Sequence, residues 1–361
     1  MVPGVGALFF VSSLVSLRVE AWASRVHNRR LAASACSSPL SLDDYLRESD
    51  VPDEVKAVVQ GFAKASLKIA RRLATAAITN AVGSVDETTA KGSSDRDQQK
   101  KLDVIANEAV RDALVESGCV LAFASEEEDD VTRVDATSPS PVFVAYDPLD
   151  GSSNIDCASP TGTIFGIYSS SNLSELRGRD TMLAAGYILY SSSTEYVLSI
   201  KGRGVQGFTL DPAVGGYLLS RADIKLPRHG PYYSLNEGRS SDWPEGLSRY
   251  VEDVKNGRGR QQGVRYSLRY VCSLVADVNR TLLYGGWAGN PRAHLRLLFE
   301  AAPLAFIVES ADGRGSDGAT NLLDVTPCKI HHRLPVFLGS AEDIDELLSY
   351  GDVQQTKVGK Y

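Results

Sequence analysis

The stretch "VFVAYDPLDGSSNID", residues 142–156, runs five apolar residues into two aspartates, Asp147 and Asp150, and then into Gly151-Ser152-Ser153. Val142 to Tyr146 reads as a short strand buried on both faces, which belongs inside a layered α/β protein. Asp147-Pro148-Leu149-Asp150 has the chemistry of a β-turn, with Asp first and Pro second. Such a turn holds its ends within about 7 Å, so both carboxylates and the Leu149 carbonyl would face one point. Oxygen ligands of this kind suit magnesium or manganese. The small residues Gly151, Ser152 and Ser153 offer backbone amides to a phosphate. The competing reading is an ordinary acidic surface turn, since Asp is a favoured turn residue.

Acids elsewhere in the chain bear on that choice. Glu126 and Glu127 follow the apolar "LAFAS", as Asp147 and Asp150 follow "VFVAY". Glu300 follows "LRLLF" inside an apolar helical run, where an acid is unfavourable unless paired or metal-bound. Asp97 and Asp103 stand in "DQQKKLDV". Each alone is more naturally structural, and "SEEEDD" alone reads as a solvated loop. Together they point to a site for several divalent cations.

Composition sets the frame. The 361 residues have ordinary globular composition and enough length for two domains. A net charge of −7 argues against nucleic acid as the main partner. The five cysteines, Cys36, Cys119, Cys157, Cys272 and Cys328, show no metal-ligand spacing, and the last four read as thiols in a reducing compartment. "VGALFFVSSLVSL", Val5 to Leu17, is a 13-residue apolar run that suits a signal-peptide core (residues 1–22). "SRVHNRRLAASACSS" contains arginines and serines but no acid, like an organelle transit peptide (residues 23–40). Together the two segments resemble the bipartite leader that addresses a plastid bounded by extra membranes; a simple secretory signal is the alternative. The mature protein is expected in the plastid stroma, off the membrane, with the cytoplasm second.

Beyond the leader, apolar spacing predicts a helix over 53–81 and another from Leu102 to about Gly118. "GTIFGIYSS", "AAGYILYSS" and "TEYVLSI" read as successive strands, and "GVQGFTLDPAVGGYLLS" as a hairpin. The pattern resets near residue 225, predicting an N-terminal domain over 41–224 and a C-terminal substrate domain over 225–361.

"SEE", "DPLDGSSNIDC", "GTIFGIY", "AAGYILY", "LNEG", "RYVCSLVADVNRTLLYGG" and "LRLLFE" resemble the fructose-1,6-bisphosphatase family over about residues 50 to 350. "DPLDGS" alone marks a wider magnesium-dependent, lithium-sensitive phosphatase superfamily, whose sugar-phosphatase fold is a layered α/β sandwich. "DWPEGL", "LRLLFE" and "SYGDVQQ" look closest to a second, redox-insensitive plastid isoform. The resemblance implies hydrolysis of the 1-phosphate of fructose 1,6-bisphosphate, with two or more Mg²⁺ per subunit (Mn²⁺ as substitute). It places metal ligands at Glu126, Glu127, Asp147, the Leu149 carbonyl, Asp150 and Glu300. Asp97 would lie on a mobile loop near the metals, and Asp103 with Glu127 would activate the attacking water. Gly151, Ser152 and Ser153 would hold the leaving phosphate, with Arg296 as a nearby cation. Asn236, Arg269, Tyr270 and Tyr284 match a pocket for the retained phosphate, with Arg269 entering from a neighbouring subunit of a homotetramer or dimer.

This chain departs from the family's pattern in that pocket. Arg239 stands where many relatives have tyrosine, His294 where they have lysine, and four residues are missing between "YGG" and His294. Sedoheptulose-1,7-bisphosphatase or dual activity is the near alternative, since "SLRYVCSLVADVN" echoes both enzymes while "SSNIDC" favours fructose, with an inositol monophosphatase-like enzyme more distant. Contacts expected of AMP-inhibited relatives are replaced by "SDVPDEV", Pro141-Val142 and Ser169. The segment after "GIY", "SSSNLSELRGRDT", has no cysteine. Strong control by AMP or by thiol oxidation is not expected.

Overall fold

The structure is a computed structural model that describes residues 39–79, 81 and 101–355. Asp97 and all but the last two residues of the expected leader lie outside that range. Three helices open the described chain: α1 (Leu42–Glu48), α2 (Asp53–Ala74) and α3 (Lys101–Ser117). Strands β1 (Val120–Ser125), β2 (Thr132–Arg133), β3 (Val142–Asp150) and β4 (Thr161–Tyr168) follow. After a short helix α4 (Gly178–Thr181) come β5 (Met182–Tyr190), β6 (Thr194–Ile200), β7 (Val205–Asp211) and β8 (Gly216–Arg221). These form an eight-stranded sheet in the order β2-β1-β3-β4-β5-β6-β7-β8. Only β1 and β3 run parallel within it; the other neighbours are antiparallel.

The remaining strands build a second sheet of five, in the order β10-β9-β11-β13-β12. They are β9 (Tyr232–Ser234), β10 (Ser267–Leu268), β11 (Trp287–Arg296), β12 (Gly313–Ser316) and β13 (Arg333–Ser340). Between them lie α5 (Glu245–Lys255), α6 (Leu274–Tyr284), α7 (Ala302–Ser310) and a closing α8 (Ala341–Ser349).

Alternation along the strands explains the layering. Val144 and Tyr146 of β3 point into a core with Val58, Val59 and Phe62 of α2. Phe143 and Ala145 point into the opposite core with Val275, Val278 and Leu282 of α6 and Leu304 to Val308 of α7. That core is closed from the far side by Val336 and Leu338 of β13, while Phe337 between them faces a third core under α5 and α8. The result is a helix–sheet–helix–sheet–helix sandwich. Helix α7 is apolar on every side because it lies between both sheets.

Two expectations change. The first long helix stops at Ala74, not near residue 81; Thr75 leaves helical geometry and irregular turns follow. Asp147–Asp150 is not a free turn. It stays inside β3, because β4 continues to pair beyond it. Asp147 opposes Ile164 and Asp150 opposes Gly162, so three steps on β3 match two on β4, a one-residue bulge.

Candidate active site

The bulge decides the geometry of the site. In a regular strand, residues three apart point to opposite faces. One extra residue brings Asp147 and Asp150 to the same side. Both are buried, at 3% and 7% exposure. Pairing then adds more acids. Ser125 is in register with Tyr146 in the parallel β1–β3 pair, and Glu126 N–H donates to the Tyr146 carbonyl (3.0 Å). Glu126 and Glu127 therefore leave β1 level with Asp147. Glu300 arrives from the middle layer on a π-helical turn, Leu297–Ala301, wedged between β11 and α7. π-Turns of this kind occur often at functional sites. Carboxylate oxygens of Asp147, Asp150 and Glu300 all lie within 4.8 Å of one another.

Three buried carboxylates so close repel each other strongly. Burial pushes Asp147 well above the ordinary carboxylate range, helped by the charges of Glu126, Asp150 and Glu300. Burial likewise raises Glu300 to about 8 and Asp150 to about 6. Asp150 rises less because its Oδ2 accepts from Ser273 Oγ (2.8 Å) and Val275 N–H (3.0 Å), at the N-terminus of α6. Glu300 Oε2 accepts from Arg296 N–H (2.6 Å), and Arg296 forms an ion pair with Glu126. The donor set fits a divalent cation: all oxygen, several charges, and a burial that makes the charged forms costly without one.

These acids line one cavity of about 570 Å³, together with Asp103, Glu127, Leu149, Gly151, Ser152 and Ser153. Asp103 is buried in the first turn of α3, which packs on β3. Gly151 has φ +74°, and a Cβ there would meet Ser273 Cβ at 2.9 Å, so glycine is required twice over. The family description "Fructose-1-6-bisphosphatase, N-terminal domain" matches residues 39–222, and "Fructose-1-6-bisphosphatase, C-terminal domain" matches residues 226–352. The chloroplastic fructose-1,6-bisphosphatase of Brassica napus is 41% identical over 329 residues, 84% of this chain and 78% of that protein. The cytosolic enzyme of Oryza sativa subsp. indica is 43% identical over 284 residues, 75% of this chain and 82% of that one. The crystal structure of Leishmania major fructose-1,6-bisphosphatase in holo form superposes with a TM-score of 0.79 at 33% identity, covering 87% of this chain and 99% of that one.

The chain belongs to the fructose-1,6-bisphosphatase family. Its layered sandwich is that family's sugar-phosphatase fold.

The other end of the fructose-1,6-bisphosphatase cavity is built differently. Asn236, Tyr270 and His294 line the same cavity, and Arg296 lines it beside the acids through its ion pair with Glu126. Arg269 and Tyr284 do not. Arg269 is exposed and lies 5.3 Å from the Tyr232 ring centroid; Tyr284 meets the same ring edge-on at 6.2 Å. Arg269 instead lines a shallower neighbouring cavity that shares Asn236 and Tyr270.

Ser273, Asp277 and Arg292 also line the main cavity and were not anticipated from the sequence. Asp277 is buried and raised to about 7 by that burial, while Val271 N–H (3.1 Å) and the nearby Arg280 favour its charge. It fastens the segment that carries Tyr270 and Cys272. Ser273 was detectable as a helix N-cap, but its bond to Asp150, 123 residues away in sequence, was not. Asn107 Oδ1 accepts from Ser125 Oγ (2.7 Å) and Tyr146 Oη (2.8 Å), tying α3 to both acid-bearing strands.

Proposed function

We propose that this protein is a magnesium-dependent fructose-1,6-bisphosphate 1-phosphatase, releasing phosphate and fructose 6-phosphate. The observation that carries this reading is the buried trio Asp147, Asp150 and Glu300, within 4.8 Å of one another in a chain of this family. Glu126, Glu127, Asp147, the Leu149 carbonyl, Asp150 and Glu300 would hold Mg²⁺, or Mn²⁺ in its place. When bound, the cations supply charge neutralisation for a phosphate dianion and a bound water of lowered pKa. Asp103 and Glu127 accept the proton of the attacking water. Gly151, Ser152 and Ser153 hold the departing phosphate. Arg296 stays oriented by Glu126 at the edge of the acid cluster, and Asn236 and Tyr270 receive the far end of the substrate. Asp97 belongs to the same reading as a group on a loop near the metals.

The reading extends to assembly and place. Arg269 is exposed and off its own chain's main cavity, as suits a side chain that enters a neighbouring subunit of a homotetramer or dimer. The leader composition supports delivery to a plastid, and relatives of both chloroplastic and cytosolic type are similar. Among the described residues no helix is long and apolar enough to cross a membrane. The N-terminal family match supports a boundary near residue 225 between a metal-binding and a substrate domain. In a plastid, the activity would serve carbon fixation or sugar synthesis.

The test is turnover of fructose 1,6-bisphosphate and of sedoheptulose 1,7-bisphosphate with Mg²⁺ and with chelator. Magnesium-dependent release of phosphate, with fructose 1,6-bisphosphate the better substrate, supports the reading; activity that survives chelation, or a preference for the seven-carbon sugar, overturns it.

A further inference from the structure

Strand β11 leaves its partner between Asn290 and Leu295. Pairing passes from Asn290 opposite Val336 to Leu295 opposite Leu334, five steps on β11 against two on β13. The excess makes a wide bulge, Pro291 to His294. Bulges beside active sites re-aim side chains, and this one is fastened at several points. Gln355 N–H donates to the Pro291 carbonyl (2.8 Å), Arg292 N–H to Asn290 Oδ1 (3.1 Å), and Arg333 Nη1 to the His294 carbonyl (3.1 Å).

Arg292 is half-buried and lines the main cavity. Seven carboxylates line that cavity against two arginines. Arg296, the other arginine, faces the acid cluster through its ion pair with Glu126. Arg292 instead follows the stretch of β11 that runs parallel to β9, with Ala288 opposite Ser234, two residues before Asn236, and it lines the cavity together with Asn236 and Tyr270. Asn236 and Asn290, both neutral donors, line the same cavity. Those groups suit a second anion, and a planar guanidinium suits phosphate through paired N–H donors.

We propose that Arg292 binds the phosphate that the substrate retains, and so makes the site selective for bisphosphates over monophosphates. This rests on the phosphatase reading above. The bulge brings an arginine of the same chain to the part of the cavity lined by the neutral donors Asn236 and Asn290.

The experiment uses the full-length enzyme with Mg²⁺, comparing wild type, Arg292→Ala and Arg292→Lys. One readout is the ratio of kcat/KM for fructose 1,6-bisphosphate to that for fructose 1-phosphate. The other is the Kd of fructose 6-phosphate by calorimetry. Loss of a charged hydrogen bond predicts a ratio at least tenfold lower in Arg292→Ala, with a matching rise in Kd and partial recovery in Arg292→Lys. An unchanged ratio and Kd overturn the proposal, as does equal loss on both substrates, which marks a merely structural arginine. If wild type hydrolyses neither sugar phosphate, the phosphatase reading falls and takes this one with it.

Discussion

The two ends of the cavity are made of different material. At the acid end, Asp147, Asp150 and Glu300 are each no more than 7% exposed and are carried on strands and a π-turn inside the sandwich. At the other end, Asn236 and Tyr270 are exposed and His294 half-buried, on loops and a bulge. Burial suits the first because its task is to make charge costly until a cation arrives. Exposure suits the second under the proposed function, in which a retained phosphate enters and leaves there, and recognition can be retuned without touching the core. Chemistry is fixed by layers, and selectivity by edges.

The contrast breaks most easily at the acid end. Asp147→Ala should lower kcat at least a hundredfold while leaving a folded protein, since it removes a ligand and also a source of repulsion. Thermal melting beside steady-state kinetics checks this, and residual activity above a tenth of wild type, under about 1.4 kcal/mol of barrier, would contradict the ligand role. Asp103→Asn should cost about a hundredfold in kcat with little change in KM, as loss of a proton acceptor does. A KM effect alone would move Asp103 out of the chemistry.

A gentler probe is pH. The folded-state pKa values of Asp150 and Glu300 are raised, to about 6 and about 8. The native state therefore holds protons that the unfolded chain has released, and this stabilising contribution is full below the ordinary carboxylate range. It is lost as pH rises through 6 and then 8. Chelated protein should melt several degrees lower at pH 8.5 than at pH 5.5, and Mg²⁺ should recover more at pH 8.5. Equal recovery at both values would mean that the acids are not the metal's ligands.

Gly151→Ala should sharpen the comparison from the middle of the cavity. A left-handed φ costs a non-glycine residue roughly 1–2 kcal/mol, and the new methyl would press on Ser273, which holds Asp150. Stability and magnesium affinity should fall together. The smallest expected effect is regulatory. Millimolar AMP and a dithiol reductant should each change activity less than twofold; a severalfold response to either would reveal control outside both ends of the cavity.

The acid end was largely legible in the sequence because burial leaves a mark there. Apolar runs that stop at Glu126, Asp147 and Glu300 announce charge in places where charge is costly. The five-residue run before Asp147 also announced a strand covered on both faces. The turn at Pro148 was misread because Asp-Pro-Leu-Asp satisfies local turn chemistry, while β4, which outvotes it, is a tertiary partner. Long-range anchors such as Ser273 on Asp150 left no local signal. Arg292 was hidden for another reason: in a regular β11 its direction would follow from alternation, and the bulge cancels that rule. Asp97 lies outside the described residues, so its place near the metals rests on resemblance.

The bulge in β3 separates what the fold needs from what the site needs. Deleting Pro148 would restore a regular ladder, with two steps on each strand between Asp147 and Asp150. The aspartates would still share a face, and the sheet would close without strain. Their Cα atoms, however, would then stand about 7 Å apart along a straight strand, without the kink that now draws their oxygens and those of Glu300 within 4.8 Å. Such a chain would be a well-formed sandwich with a poor grip on metal. One surplus residue in a strand is the margin between a scaffold and a catalyst.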